Sequence, residues 1–247
     1  MRYIGSKNRL SKEIVPIIQS YIKSDTKGYL EPFVGGANLI DKIQCTNKIG
    51  VDIHEELIEL LKYVQEFSSL LPERILESTY NDVKNNKEKY EKWYLGLVGF
   101  CSSFGAKYFG GYARDSKEDN SGKWSSGAIN NLKKQASNLQ GIKFINASFL
   151  DLPKDKIKGY VIYCDPPYRN TTKYKTEEFP YDEFYQWVKD MSVHNTVLIS
   201  EYNMPDEFEC IWSKESKVNF DSNRESNDKN NIRIEKLFTY KNYNINK

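Results

Sequence analysis

The sequence predicts an α/β fold organised on a Rossmann-like sheet, interrupted by a mainly helical and loop insertion. Three observations predict it. Strand-like apolar runs alternate with helical periodicities toward both ends of the chain. A glycine pair follows the first of those runs, and the next run ends in a carboxylate, which is how a Rossmann-like unit opens. Between residues 68 and 124 the alternation stops, and glycines, aromatics and charged residues take its place.

The elements follow in order. Ile14, Ile17, Ile18 and Tyr21 recur at helical spacing behind a polar N-terminal segment. Tyr29 to Val34 is a strand, Gly35-Gly36 a turn, and Ala37 to Gln44 has helical character. Lys48 to Val51 is a second strand, ending at Asp52. Glu55 to Phe67 is an amphipathic helix with Leu57, Ile58, Leu61 and Val64 on one side. The middle holds a charged stretch, Asn81 to Lys92, and then five glycines among the aromatics of Gly96 to Tyr112. Asp115 to Ser126 is polar and loop-like. Alternation resumes with a helix through Ile129, Leu132, Ala136 and Leu139, then strands at Lys143 to Ala147 and Tyr160 to Cys164. A helix through Phe184, Trp187, Val188 and Met191 precedes a strand at Thr196 to Ser200. Ile211, Val218 to Phe220 and Ile232 to Tyr240 are expected to form a terminal antiparallel pair around the polar stretch Asp221 to Asn231.

Composition bounds the function. The 247 residues, 39% apolar and 14% aromatic, suffice for one large α/β domain with an insertion. Net charge is only +2, yet Lys84 to Lys134 carries ten Lys/Arg against five Asp/Glu, leaving −3 for the remainder. Such a basic middle is either a solvated face or a surface that meets a polyanion. Four scattered cysteines without a CxxC pair, and two histidines, supply no zinc set, so no metal is expected. The same cysteines suit a reducing, cytoplasmic setting. Charged residues from Arg2 onward exclude an apolar signal region, and no apolar run approaches the ~20 residues of a membrane span. No membrane partner is expected.

Two constellations carry chemistry. Tyr160 to Cys164 runs into Asp165-Pro166-Pro167-Tyr168. This is either a strand end with a proline turn or a pocket for an exocyclic amine. In the pocket reading Asp165 accepts one N–H, the rigidly held carbonyl of Pro166 accepts the other, and Tyr168 stacks on the base. The second constellation is Glu31-Pro32-Phe33-Val34-Gly35-Gly36. It lacks the third glycine and the spacing that seat a pyrophosphate, which disfavours a dinucleotide. A nucleoside without phosphates, such as S-adenosylmethionine, suits it better. Asp52 is then placed to accept the ribose hydroxyls, or else it caps the following helix. Tyr3-Ile4-Gly5-Ser6-Lys7 could close over that ligand, with Lys7 pairing its carboxylate.

Taken together, the aromatic-x-Gly-x-Lys start, Glu-Pro-Phe-Val-Gly-Gly, the strand ending in Asp52, the aromatic-rich insertion and Asp-Pro-Pro-Tyr resemble the Dam-like (alpha-group, D12 class) DNA adenine-N6 methyltransferases, many of them phage-encoded. Val197 to Asn203 and Glu235 to Tyr240 also look like strands of that family. The resemblance implies a Rossmann-like S-adenosylmethionine-dependent methyltransferase fold, with residues 1–67 and 125–247 catalytic and 68–124 a target-recognition insertion. It implies cofactor contacts from Tyr3, Lys7, Glu31, Phe33, Gly35, Asp52, Phe149 and Asp165, and a catalytic set of Asp165, Pro166 and Tyr168. The expected reaction is methyl transfer to N6 of an adenine flipped out of duplex DNA. Candidate DNA contacts are Lys107, Tyr108, Arg114 and Lys123. Ser103 to Tyr112 only loosely resembles the hairpin that reads GATC, and Ser6 replaces a glycine common in the N-terminal motif. Rival readings are N4-cytosine methylation, RNA adenine methylation and an inactive DNA-binding module. The protein is expected to act as a monomer or weak dimer.

Overall fold

The computed structural model of the chain describes residues 1–114, 116, 121–168, 179–217 and 232–241. Seven strands form one sheet: β1 (Gly28–Glu31), β2 (Lys48–Asp52), β3 (Ile142–Asn146), β4 (Tyr160–Cys164), β5 (Thr196–Glu201), β6 (Phe208–Lys217) and β7 (Ile232–Tyr240). Their order is β3-β2-β1-β4-β5-β7-β6. The five strands from β3 across to β5 are parallel, and β7 is antiparallel to both β5 and β6. The order reverses between β1 and β4, where Leu30 stands opposite Ile162. A crevice opens outside the carboxyl ends of the strands at such a switch point.

Both faces of the sheet are covered. Tyr29, Val161, Tyr163, Leu198 and Leu237 belong to one apolar cluster. Their neighbours Leu30, Ile162, Cys164, Val197, Ile199 and Phe238 belong to the other. Successive strand residues point to opposite faces, so strands apolar on both sides need a layer on each. The first cluster takes α1 (Ser11–Tyr21), α2 (Glu55–Phe67), α4 (Lys92–Cys101) and α5 (Lys123–Leu139), which contribute Ile14, Leu57, Leu97 and Ile129. The second takes α6 (Tyr181–Ser192) through Phe184, Trp187, Val188 and Met191. The expected helical faces of α2, α5 and α6 are the buried ones.

Three expectations are corrected. The strand expected over Tyr29 to Val34 ends at Glu31. Pro32 has no N–H to offer a ladder, and Val34 instead donates to the carbonyl of Val51 at 2.8 Å. The helical character expected from Ala37 to Gln44 reduces to one short turn, Ile40–Lys42. Ala37 is held at φ 55°, outside helical space, so the chain leaves the glycine turn before a helix can start. In the terminal pair, β6 begins at Phe208, earlier than expected; Val218 to Phe220 and Asp221 to Asn231 lie outside the described residues.

Within residues 68–124 the described residues form α3 (Glu77–Asn85), α4 and short 3-10 turns, with one isolated bridge between Ser103 and Tyr112. Backbone bonds from Phe104 to Gly111 (2.9 Å) and from Ala113 to Ser102 (2.8 Å) close Ser103 to Tyr112 into a hairpin-like loop. A side chain at Gly96 would come within 2.2 Å of the carbonyl of Glu56, so glycine there lets α4 lie directly against the start of α2.

Candidate active site

Four loops meet at the switch point. The turn after β1 carries Phe33, Gly35 and Gly36; β2 ends at Asp52; Phe149 follows β3; Asp165 to Tyr168 follow β4. The N-terminal segment lies across them. Asn38 holds it there, its amide donating to the carbonyl of Met1 at 2.9 Å and to Ser6 Oγ at 2.8 Å. Ser6 Oγ also accepts the N–H of Asn8 at 3.2 Å, a bond no glycine at this place could make. The Tyr3 ring rests on the turn. A Cβ on Gly35, whose φ is +48°, would come within 2.9 Å of it.

Lys7 and Asp165 form the centre. Lys7 Nζ lies 2.8 Å from Oδ1 and 3.1 Å from Oδ2 of Asp165, donates to the carbonyl of Gly5 at 3.2 Å, and stands 4.4 Å from the centre of the Tyr168 ring. The two charged side chains are 9% and 18% exposed. Burial pushes the Asp165 carboxyl up, and Lys7 pulls it back down. Burial likewise lifts the Tyr168 phenol well above its usual range, keeping it a donor.

Asp52 is bound by backbone. Oδ2 accepts the N–H of Gly35 and Oδ1 that of His54, each at 3.0 Å. A carboxylate offers about four lone-pair sites, so about two remain for hydroxyl donors. Desolvation raises the Asp52 pKa and the backbone bonds lower it. Asp52 thus braces the turn before α2 through the His54 N–H, while α2, with His54 as its N-cap, has no side-chain cap bond.

Glu31 is 3% exposed, and its carboxylate accepts the Tyr29 hydroxyl at 2.7 Å. Burial pushes it up to about 8. Phe33 and Phe149 pack 5.4 Å apart, and Phe149 also meets Trp187 at 5.7 Å, closing the other side of the crevice with rings. Pro166 is buried and Pro167 exposed. Cys164 is fully buried, and burial holds its thiol well above the usual range.

The cofactor and catalytic candidates Tyr3, Lys7, Glu31, Phe33, Gly35, Asp52, Phe149, Asp165, Pro166 and Tyr168 thus line one end of the sheet. Of the expected DNA contacts, Tyr108 adjoins that end, packing on His54, which bonds Asp52, and on Phe100, which meets Tyr3. Lys107 is exposed in the hairpin-like loop and Lys123 is exposed at the start of α5. Arg114 is ion-paired with Glu77 beside the Tyr112 ring. Tyr108 is half-buried, edge-on to His54 at 4.6 Å and 5.1 Å from Phe100.

A family model described as D12 class N6 adenine-specific DNA methyltransferase matches residues 3–97 and 93–225. The chain belongs to that family. The D12 match takes in every candidate site residue from Tyr3 to Tyr168. No curated protein matches the chain. Among solved structures it is similar to SMU.472, described as "a putative methyltransferase complexed with SAH", at 10% identity and a TM-score of 0.38. That alignment covers 97% of this chain and 54% of the other, so the chain spans about half of the length of that relative. Among the described residues no group of three or more His, Cys, Asp or Glu is arranged to hold a metal, and no helix is long and apolar enough to cross a membrane.

Two residues beside the D12 tetrapeptide Asp165 to Tyr168 escaped sequence reasoning. Glu235 accepts the Tyr168 hydroxyl at 3.1 Å, and the Tyr202 ring meets that of Tyr168 at 4.6 Å and 84°. Both follow or sit in strands, and nothing in their local spacing marks them. Only the antiparallel placement of β7 beside β5 brings Glu235 to this end of the sheet. Within the chain, Lys7 is ion-paired with Asp165.

Proposed function

We propose that this chain transfers the methyl group of S-adenosylmethionine to N6 of an adenine rotated out of duplex DNA. One observation carries the reading: Asp165, followed by Pro166 and Tyr168, emerges from β4 at the switch point beside the Gly35 turn and Asp52. The residues present suit the cofactor. Gly35 at φ +48° lets the Tyr3 ring rest directly on the turn, where a Cβ would come within 2.9 Å of it, and Asp52 retains acceptor sites for two vicinal hydroxyls. Glu31, Phe33, Phe149, Tyr3 and Lys7 surround the same turn. The bound cofactor supplies an electrophilic methyl on a sulfonium.

The protein's own residues then do the work of positioning. The amine of adenine is a weak nucleophile, because its lone pair is delocalised into the ring. Asp165 and the carbonyl of Pro166 accept its two N–H groups and favour a pyramidal nitrogen. Positive charge gathers on that nitrogen as the bond forms, and the Asp165 carboxylate stabilises it in a largely dry site. Lys7 opposes the rise that burial imposes on the Asp165 pKa. No covalent enzyme intermediate is required, which agrees with Cys164 being sealed in the core. Holding both reactants in line supplies the remainder.

A paired base cannot reach such a pocket, so the adenine must leave the stack, with Tyr168 receiving it. Stacking on an aromatic ring offsets part of that cost, at about 1–3 kcal/mol. Residues 68–124 serve as the recognition segment, with Lys107 and Lys123 presented to solvent for phosphates. Arg114 reaches DNA by exchanging Glu77 for a phosphate or a guanine edge. GATC is the first target to test, on the loose likeness of Ser103 to Tyr112.

Radiolabelled S-adenosylmethionine incubated with duplex DNA, followed by identification of the modified base, tests the reading. N6-methyladenine is expected, and Asp165→Ala is expected to abolish it while leaving the fold intact. Label in cytosine, label in RNA alone, or full activity of a folded Asp165→Ala protein each overturns it. Methylation-sensitive sequencing of DNA from expressing cells assigns the site.

A further inference from the structure

Tyr168 hangs at one end of the sheet with three groups around its ring. Its hydroxyl donates to Glu235 Oε2 at 3.1 Å. The hydroxyl of Tyr202 stands 3.5 Å from the other oxygen of that carboxylate, and the Tyr202 ring lies edge-on to Tyr168 at 4.6 Å. The Lys7 ammonium sits 4.4 Å from the ring centre. Glu235 reaches this place because β7 runs antiparallel to β5: Lys236 pairs with Glu201, the last residue of β5, so the residue before it falls beside the loop that follows β5. The family match ends at residue 225, short of Glu235.

We propose that Glu235 is a positioning residue for the target base, acting through Tyr168: its carboxylate anchors the phenol and so fixes the plane of the ring on which the extruded base stacks. The inference rests on the function proposed above. A phenol ring on the loop after a strand turns about two bonds unless its far end is held, and the hydrogen bond to Glu235 holds it at the hydroxyl, which also interacts with Asp165. An ionised acceptor makes that bond shorter and stronger than a neutral one. The base must also present its amine to Asp165, three residues earlier in the same loop. Tilting the ring therefore moves the nitrogen away from its acceptor. Functional geometry tolerates only about 0.5 Å and 10–20° of such error.

The test uses the full chain with two duplexes: the one whose adenine sequencing identifies as methylated, for kcat, and the same duplex with 2-aminopurine in place of that adenine, for emission. Glu235→Ala is expected to bind S-adenosylmethionine as the wild type does and to lose about 10²-fold in kcat. The flipped 2-aminopurine, no longer quenched by a parallel ring, is expected to emit more brightly than in the wild type. Glu235→Gln keeps an acceptor and is expected to restore most of both signals. Tyr168→Phe removes the donor, and adding Glu235→Ala to it is expected to cost nothing more, since the carboxylate acts only through the hydroxyl. Additive losses in the double variant, or wild-type kcat and emission in a folded Glu235→Ala protein, overturn the proposal. If Glu235→Ala does not fold, Tyr168→Phe decides: wild-type kcat and emission there overturn it, and the loss with brighter emission supports it. A wild-type protein that methylates no DNA sinks the proposed function instead, so the two failures are distinguishable.

Discussion

Lys7 Nζ lies 2.8 Å from one carboxylate oxygen of Asp165 and 3.1 Å from the other, across 158 residues of sequence. The pair joins the N-terminal segment to the loop after β4, and Lys7 lowers the pKa that burial raises at Asp165. Removing one member of a largely buried pair leaves the other charge uncompensated, at about 3–5 kcal/mol. Lys7→Ala is therefore expected to lower stability by a few kcal/mol of that order. It also removes the influence that draws the Asp165 pKa down, so that pKa rises further. The ionised fraction at any given pH then falls, and the acid limb of kcat/KM moves to higher pH. A pH profile of Lys7→Ala superimposing on that of the wild type counts against this role.

Glu31 yields a stability prediction with a definite sign. Its folded pKa of about 8 lies above the ordinary 4.5 of a glutamate, because burial disfavours the charge. The folded state then holds more protons than the unfolded state between those values, so stability falls as pH rises from about 4.5 to about 8. Glu31→Gln keeps an acceptor for the Tyr29 hydroxyl and has nothing to titrate. It is expected to be more stable than the wild type at pH 8, by about 4 kcal/mol on an order-of-magnitude reckoning. Urea melts at both ends of the window check this; equal pH slopes for the two proteins would falsify it.

Gly35→Ala meets two obstacles. The backbone φ of +48° is strained for any L side chain, at about 1–2 kcal/mol. The new methyl also meets the Tyr3 ring at 2.9 Å. We expect weaker binding of S-adenosylmethionine in calorimetry together with a lower Tm. Adding Tyr3→Ala is expected to recover the part due to the clash and not the part due to φ. No recovery at all in the double variant places the whole cost in the backbone.

Asp52→Ala takes from Gly35 and His54 the acceptor for their N–H groups. Hydrogen bonds to a charged group are worth about 1.5–3 kcal/mol. S-adenosylmethionine affinity is expected to drop about 10-fold to 100-fold on that scale, with DNA affinity in the absence of cofactor little changed. Equal loss of both in a folded variant argues against a cofactor role.

Lys107 and Tyr108 are neighbours with different surroundings. Lys107 is exposed, while the Tyr108 ring packs on His54 and Phe100. Lys107→Ala is expected to reduce the slope of log K against log salt for DNA binding by about one. Tyr108→Ala is expected to leave that slope alone and to lower stability by about 3–5 kcal/mol, the range for an aromatic ring lost from packed surroundings. A changed slope in Tyr108→Ala assigns it to the DNA face.

The sequence by itself determined the layered fold and most of the candidate site, because both are written in local pattern. Helical spacing set which faces of α2, α5 and α6 are buried, and an unbroken apolar run marked β4 as a buried strand. Asp52, Gly35 and Asp165 are legible because a strand ending in a turn places its next residues at one edge of a parallel sheet. Tertiary structure decided what depends on partners distant in the chain. It ended β1 at Glu31, by giving the Val34 N–H to β2. It reduced Ala37 to Gln44 to a single turn through a φ of 55°. It joined Lys7 to Asp165, gave Asp52 two backbone donors, and brought Glu235 and Tyr202 to Tyr168. Hydrogen bonds and ion pairs are short-ranged, so they are settled by which strand lies beside which, and that order, β3-β2-β1-β4-β5-β7-β6, is a property of the folded sheet and of no local segment.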